Sequence, residues 1–349
     1  MKKFLIVFAI LIISLAGFLL YTFQTTGYFK DIQAENNFGA VYTTIDLPGV
    51  EDIALAREDS LLILSVDDRA ARRDGKAGLH GIYLVDLREE AFTPLDISAN
   101  LNFPLYPHGI SLYKLDSAKY GLMVINHVEG KHSVESFILE GKKLTHIKKI
   151  KGTELISPND LVMVSPEAFY FTNDHGSTSK WGVLAENYLG IQAANVGYFN
   201  GTEFQIVAEK LAYPNGLQLD KDKNLLYVAS SRGFLVRVFE VEKNGQLTKI
   251  EDIDAGTGVD NIELDENGKL WIGCYPNLLT FAAYAAGKKQ ISPSEVITVD
   301  YQKGQSPIVT SIWKDSGEQL SATSSAVPFG DFLFLGTVMD QKVMVLKKN

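Results

Sequence analysis

The sequence has a single cysteine, Cys274, so no internal disulfide can hold this chain together and no cluster of thiolates can bind a metal. It has six histidines in 349 residues, too few and too scattered for a zinc or copper centre built on imidazole. No G-x-S-x-G elbow is present, and Ser111 in HGIS lies within an apolar alternating run, so the strained turn of a serine nucleophile is missing. Neither a G-x-G-x-x-G nor a Walker pattern opens a helix, which leaves dinucleotide and ATP chemistry unsupported. Basic tracts are confined to Lys142-Lys143 and the Lys148–Lys151 group in a chain of net charge -9, so no nucleic-acid partner is expected.

What the sequence does have is repetition. Six polar clusters recur, Glu51-Asp52, Pro107-His108-Gly109, Pro158-Asn159-Asp160, Pro214-Asn215-Gly216, Asp260-Asn261 and Thr323-Ser324, spaced roughly 45 to 65 residues apart. Each precedes an apolar alternating run, a turn rich in breakers and a second run: LLILSVDD, YGLMVINH, AFYFTNDH, NLLYVASS, KLWIGCYP and DFLFLGTV. Six such units predict an all-β, six-bladed β-propeller in which the clusters open the innermost strands and converge on the axis.

Convergence sets the chemistry. Glu51, Asp52, Asp160 and Asp260 bring four carboxylates to one spot, and no Lys or Arg lies in any cluster. Crowded, partly buried anions need a counter-charge, and a metal cation is the remaining candidate. Carboxylate and amide oxygens, those of Asn159, Asn215 and Asn261 included, suit the hard, large Ca²⁺. His108 opens one inner strand and His127 ends the strand beside it, which makes them approximate cross-strand neighbours and a candidate general-base pair. The same register places Asp174 beside Asn159 and Asp160, where it would orient the metal ligands. His80, His132, His146 and His175 have no such register and are read as loop or surface residues.

The segments GVEDIAL (49–55), YPHGIS (106–111), VINH (124–127), SPNDLVMVSPEAFYFTNDH (157–175), PNGLQL (214–219), GVDNIELDENGKLWIGCYPN (258–277) and LGTV (335–338) carry a likeness beyond the blade pattern. In order and spacing, from about residue 40 onward, the chain resembles the serum paraoxonase/arylesterase family. The resemblance implies a propeller with two calcium ions in its tunnel and hydrolysis of lactones and aryl esters. By position it assigns the catalytic calcium to Glu51, Asn159, Asn215, Asp260 and Asn261. It assigns the structural calcium to Asp52, Asp160 and the Ile110 carbonyl, and the histidine dyad to His108 and His127. Tyr213, Tyr275, Ser324 and Val338 are expected to line the entrance to a small-molecule lactone or ester site.

Three positions depart from the family. Tyr275 stands where animal members have His, and the segment Ser177–Ala194, expected to wall the entrance, differs. The family's ring-closing disulfide cannot form with Cys274 alone, so closure is expected from pairing of residues 38–47 with the last strand, 342–346. Two other readings stay open: a non-catalytic, calcium-stabilised propeller that binds a ligand or partner, and a gluconolactonase- or strictosidine-synthase-like enzyme.

The amino end is a separate piece. Lys2 and Lys3 precede an uncharged apolar run from Phe4 to about Phe23, long enough to span a bilayer and without a good small-residue cleavage site. The expected organisation is an anchor at 1–25, a linker at 26–37 and the hydrolase propeller at 38–349, placed extracytoplasmically by the positive-inside rule. A cleaved signal with a secreted propeller is the alternative.

Overall fold

The computed structural model describes residues 1–128 and 131–349. Its strands form six antiparallel sheets arranged as blades. Blade one is built from Val50–Ala56, Leu61–Asp67, His80–Asp86 and Pro94–Asp96, and blades two to five follow the same inner-to-outer order. Blade six differs: Thr323–Phe329, Phe332–Thr337 and Val343–Lys348 are completed by Gly39–Ile45 from the amino end as outermost strand. The expected ring closure is therefore present, with Ile45 opposite Val343 and Gly39 opposite Lys348. A further short strand, Glu35–Asn36, adds to the outer edge of blade five.

Alternating apolar residues of neighbouring blades interdigitate to make the core. Leu62, Leu64 and Val66 of blade one, for instance, pack with Val327, Phe334, Val343 and Val345 of blade six. Cys274 is fully buried in such a layer, an apolar filler as its surroundings dictate.

All six inner strands carry a register shift at the polar cluster, at Val50/Asp52, Pro107/Ile110, Pro158/Leu161, Pro214/Leu217, Val259/Ile262 and Thr323/Ser325. In a regular strand consecutive side chains face opposite ways. A bulge breaks that alternation and re-aims a side chain, so two successive residues can both enter the tunnel.

Four helices interrupt the strands: α1 (Lys2–Thr25), α2 (Arg69–Arg73), α3 (Lys180–Leu189) and α4 (Leu278–Ala285). The last three each leave the second strand of a blade, in blades one, three and five. An inner strand starts at the cluster end and its antiparallel neighbour returns there, so all three helices roof the same mouth of the tunnel.

Helix α1 is long and apolar enough to cross a membrane, and nearly all of it is exposed. Its last turn is docked on the propeller. Thr22 Oγ1 donates to the Tyr188 carbonyl (3.2 Å), and Arg232 Nη1 and Nη2 donate to Thr25 O (2.9 Å) and Oγ1 (2.8 Å). The expected linker at 26–37 also contacts the propeller. Leu278 N–H donates to Thr26 O (3.0 Å), Lys30 reaches Gly256 O, and Glu35 pairs with Lys314. The polar composition of the segment gave no sign of this, because its partners are backbone groups of blades four and five.

Candidate functional site

The tunnel has two ends. A cavity of 260 Å³ at the roofed mouth is lined by Glu51, Asn159, Asn215 and Asp260 together with His108, while a second of 150 Å³ at the far end is lined by Asp52 and Asp160. The bulges of blades one and three thus divide an adjacent pair, sending Glu51 and Asn159 up and Asp52 and Asp160 down. Close backbone approach around the axis requires glycine. A Cβ on Gly216 would stand 2.5 Å from Asn261 Cα, and one on Gly109 would collide with Asp160.

The four carboxylates are almost wholly removed from solvent, Glu51 at 2 %, Asp52 at 7 %, Asp160 at 5 % and Asp260 at 1 % exposure. Burial and the neighbouring carboxylates push Asp52 up to about 7 and hold Asp160 and Asp260 well above the ordinary range. Glu51 is pulled down despite its burial, because His108 Nε2 lies 3.5 Å from its Oε2. One cation that the clusters gave no sign of lies nearby: Arg69 of α2 lines the upper cavity.

The upper oxygens are without partners. Glu51 Oε2, Asn159 Oδ1, Asn215 Oδ1, Asp260 Oδ1 and Asn261 Oδ1 are buried and accept no hydrogen bond among the described residues. Their other atoms are committed. Asn261 Nδ2 donates to Glu51 Oε1 (3.0 Å), Asn215 Nδ2 to Ser231 Oγ (3.1 Å) and the Tyr275 hydroxyl to Asp260 Oδ2. Each amide is fixed by its nitrogen with its oxygen turned inward. Five orphaned oxygens at one spot cost free energy unless a cation meets them. An all-oxygen, partly anionic donor set fits Ca²⁺.

The lower pair is bonded differently. Ile53 N–H and Ile110 N–H donate to Asp52 Oδ1 (2.8 Å) and Oδ2 (2.7 Å). Leu161 N–H and Leu217 N–H donate to Asp160 Oδ1 (2.7 Å) and Oδ2 (2.9 Å). Each carboxylate thus links its own inner strand to that of the next blade.

His108 and His127 meet as the register expects, with His108 Nδ1 2.9 Å from His127 Nε2. His127 is half-buried, and desolvation together with the imidazoles of His108 and His132 keeps its pKa well below the ordinary value. Asp174 accepts from Ser157 Oγ (2.5 Å) and Asn159 Nδ2 (3.4 Å), beside the upper oxygens.

Three histidines assigned to loops or the surface are engaged instead. His132 sits directly across from His127, Nδ1 to Nδ1 at 2.7 Å. His146 Nε2 bonds Glu135 Oε2 (3.0 Å) in a buried polar group. His175 lines the upper cavity between Asp174 Oδ1 (2.7 Å) and Asn187 Oδ1 of α3 (2.9 Å). Burial lowers its pKa, but the Asp174 carboxylate offsets this and leaves it raised. His80 is exposed as expected. Reading Val128 and Lys131 as the ends of a hairpin would have found the His127–His132 pair; the two residues between them lie outside the described residues.

Of the expected entrance residues, Tyr213, Tyr275 and Val338 line the upper cavity, with Tyr275 stacked on Phe281 of α4 at 4.0 Å. Ser324 does not line it. It is fully buried and donates to the Glu51 carbonyl of the neighbouring blade (2.6 Å). The segment expected to wall the entrance supplies α3, whose Asn187 and Tyr188 reach the cavity. Leu278, Phe281 and Ala282 of α4 complete an apolar wall that sequence periodicity did not single out.

Comparison with known proteins identifies the family and the fold of the chain. The family model described as Arylesterase matches residues 35–345. The chain is 34% identical over 264 residues to serum paraoxonase/arylesterase 2 of Rattus norvegicus and to serum paraoxonase/arylesterase 1 of Homo sapiens, covering 74% of each chain in both cases. Among solved structures, a luciferin-regenerating enzyme superposes with a TM-score of 0.55 at 10% identity, over 91% of this chain and 98% of the other, a likeness of fold.

Proposed function

The chain belongs to the paraoxonase/arylesterase family and is a hydrolase of esters and lactones, and we propose that its reaction takes place in the roofed cavity, with His108 as general base beside a calcium ion. The observation that carries this reading is a set of five buried oxygens without hydrogen-bond partners among the described residues, four of whose residues line one cavity with His108, itself bonded to His127.

Glu51, Asn159, Asn215, Asp260 and Asn261 would hold the catalytic ion, and Asp52 and Asp160, with the main chain of Ile110, a structural one. A bound Ca²⁺ supplies electrophilic polarisation of the carbonyl and stabilises the oxyanion that develops on it. His108 Nε2 takes the proton of the attacking water, while Nδ1 is engaged by His127, which fixes the tautomer and the ring plane. Asp174 holds Asn159, and through Asn159 the position of its inward oxygen. Tyr213, Tyr275, Phe281 and Leu278 surround the site with apolar surface, which favours an aliphatic lactone or aryl ester over a charged sugar lactone.

The orientation follows from α1. With the lysines at its start cytoplasmic, the propeller lies on the extracytoplasmic side as an anchored domain, where external calcium fills the sites. Residues 1–25 would be the anchor and the described remainder one hydrolase domain.

The test is a panel of aliphatic lactones and aryl acetates assayed on purified protein with calcium and with a chelator. Calcium-dependent turnover is expected, together with a two-site titration curve. Turnover indifferent to chelation, or none on either substrate class with calcium present, would refute it.

A further inference from the structure

The hydrogen-bonded histidines do not stop at two. From the cavity outward the series runs His108 Nδ1 to His127 Nε2 at 2.9 Å, then His127 Nδ1 to His132 Nδ1 at 2.7 Å. The rings meet edge to face, with centroids 5.0 and 4.8 Å apart. His108 lines the cavity, whereas His127 and His132, the latter at the start of Lys131–Glu140, are half-buried and lie outside its lining. Strand register enforces the contact, since His127 and His132 are a directly opposed cross-strand pair on one face.

We propose that His132 is the outer member of a three-imidazole proton conduit that connects the general base to solvent. The inference rests on the reaction read above, in which His108 accepts the proton of the attacking water. Hydrolysis takes one proton from the attacking water and returns one to the leaving alkoxide, and the carboxylic acid formed ionises as it departs, so a base in a roofed cavity must send a proton out and take one back in each turnover.

Neutral imidazole carries one N–H and one lone pair, and a bond between two ring nitrogens needs one of each. The series therefore has two consistent settings. In the first, His108 Nδ1–H donates to His127 Nε2, His127 Nδ1–H donates to His132 Nδ1, and His132 carries its proton on Nε2. A proton accepted at His108 Nε2 moves each of these one step outward, and the Nε2 proton of His132 passes to solvent. All three rings end neutral in the second setting, with His108 bearing its proton on Nε2, ready for the leaving alkoxide. That transfer restores the first setting when a proton re-enters at His132. No oxidant or co-reactant is involved.

The surroundings suit a conduit better than a proton store. Arg69 and Arg72 face His127, and burial lowers both His127 and His132, so neither ring holds a standing charge near neutrality. Asp174 is the one carboxylate that pulls on His132, and it is already engaged by His175. His132 touches neither substrate space nor a metal-ligand side chain, so it is a positioning and relay residue.

The test uses the detergent-solubilised, calcium-loaded full chain and its His132→Ala and His132→Gln variants, melting curves being compared first. In weak buffer, kcat should fall by about tenfold with KM unchanged. Added imidazole should restore it, since a small base that enters the gap replaces the missing ring. An unchanged kcat, or a loss that imidazole does not relieve, would overturn the proposal. A second arm needs no substrate: in ¹⁵N-histidine spectra, exchange of the His108 and His127 ring N–H protons with water should slow in both variants. Unaltered exchange would overturn the conduit. Wild-type protein inert to all esters and lactones would remove the assigned reaction instead and leave the exchange arm to decide the conduit.

Discussion

The two ends of the tunnel use similar residues for opposite purposes. At the roofed end, amide and carboxylate oxygens are anchored through the other atoms of their groups and turned inward without donor partners among the described residues. At the far end both oxygens of Asp52 and of Asp160 accept main-chain N–H groups from two adjacent blades. Oxygens left open are suited to a ligand that exchanges with substrate and water. Oxygens already bonded into the frame make the ring itself depend on them. One bulge per blade separates the two roles between neighbouring residues.

The comparison breaks most visibly at the lower end. Asp52→Ala or Asp160→Ala removes one cross-blade hydrogen bond, one within its own strand and one member of a buried ionic group, a loss of about 3–5 kcal/mol. The expected result is a large drop in melting temperature that added calcium does not reverse. Variants that melt like the wild type would show that the lower end is not structural.

At the upper end the damage should fall on turnover. His108→Gln is expected to reduce kcat by about 10²- to 10⁴-fold, and Asn215→Ala to reduce it strongly while shifting the unfolding free energy by only about 1 kcal/mol. Comparable stability losses for Asn215→Ala and Asp160→Ala in parallel denaturant titrations would erase the distinction.

A pH series on chelated protein sharpens it further. Asp52 is raised from the ordinary carboxylate range to about 7 in the folded state, so the folded form binds protons more tightly than the unfolded chain. Its favourable contribution is complete below about pH 4 and is lost as pH rises through 7. Chelated protein should therefore melt at a higher temperature at pH 5 than at pH 8. Calcium binds the ionised form and should cancel or reverse that order. Calorimetry at both pH values, with and without chelator, decides it, and a flat chelated profile would contradict it.

The smallest effect belongs to the wall. Tyr275→His exchanges a stacked phenol for a smaller ring and removes the hydroxyl that donates to Asp260. The ratio of lactone to aryl-ester turnover should change by several-fold, while calcium binding persists.

Blade number, closure and the convergence of the clusters could be read from the sequence because each is a matter of period and order. The division of Glu51 from Asp52 could not, since a regular strand would already send neighbours to opposite faces and nothing in the alternation announces a bulge. His132 escaped because its partner depends on which residues close one hairpin, and a shift by one would have turned it away. Ser324 was misplaced for a related reason. Its cluster keeps the common phase but carries hydroxyls, which serve the Glu51 carbonyl rather than the cavity. The segment 26–37 looked like a tether because its anchors are main-chain atoms far along the chain.

The way the ring closes also governs how the molecule comes into being. Gly39–Ile45 is among the first strands to be synthesised and Val343–Lys348 is the last, and neither edge is satisfied until they meet. Until then the nascent chain carries an open strand edge with exposed Val41 and Tyr42, a template for mispairing. Pairing between the two extremes of a chain is also the slowest kind of contact to form. A chain that stops short of residue 343 lacks the strand that joins Gly39–Ile45 to blade six, and with it the two outer strands of that blade.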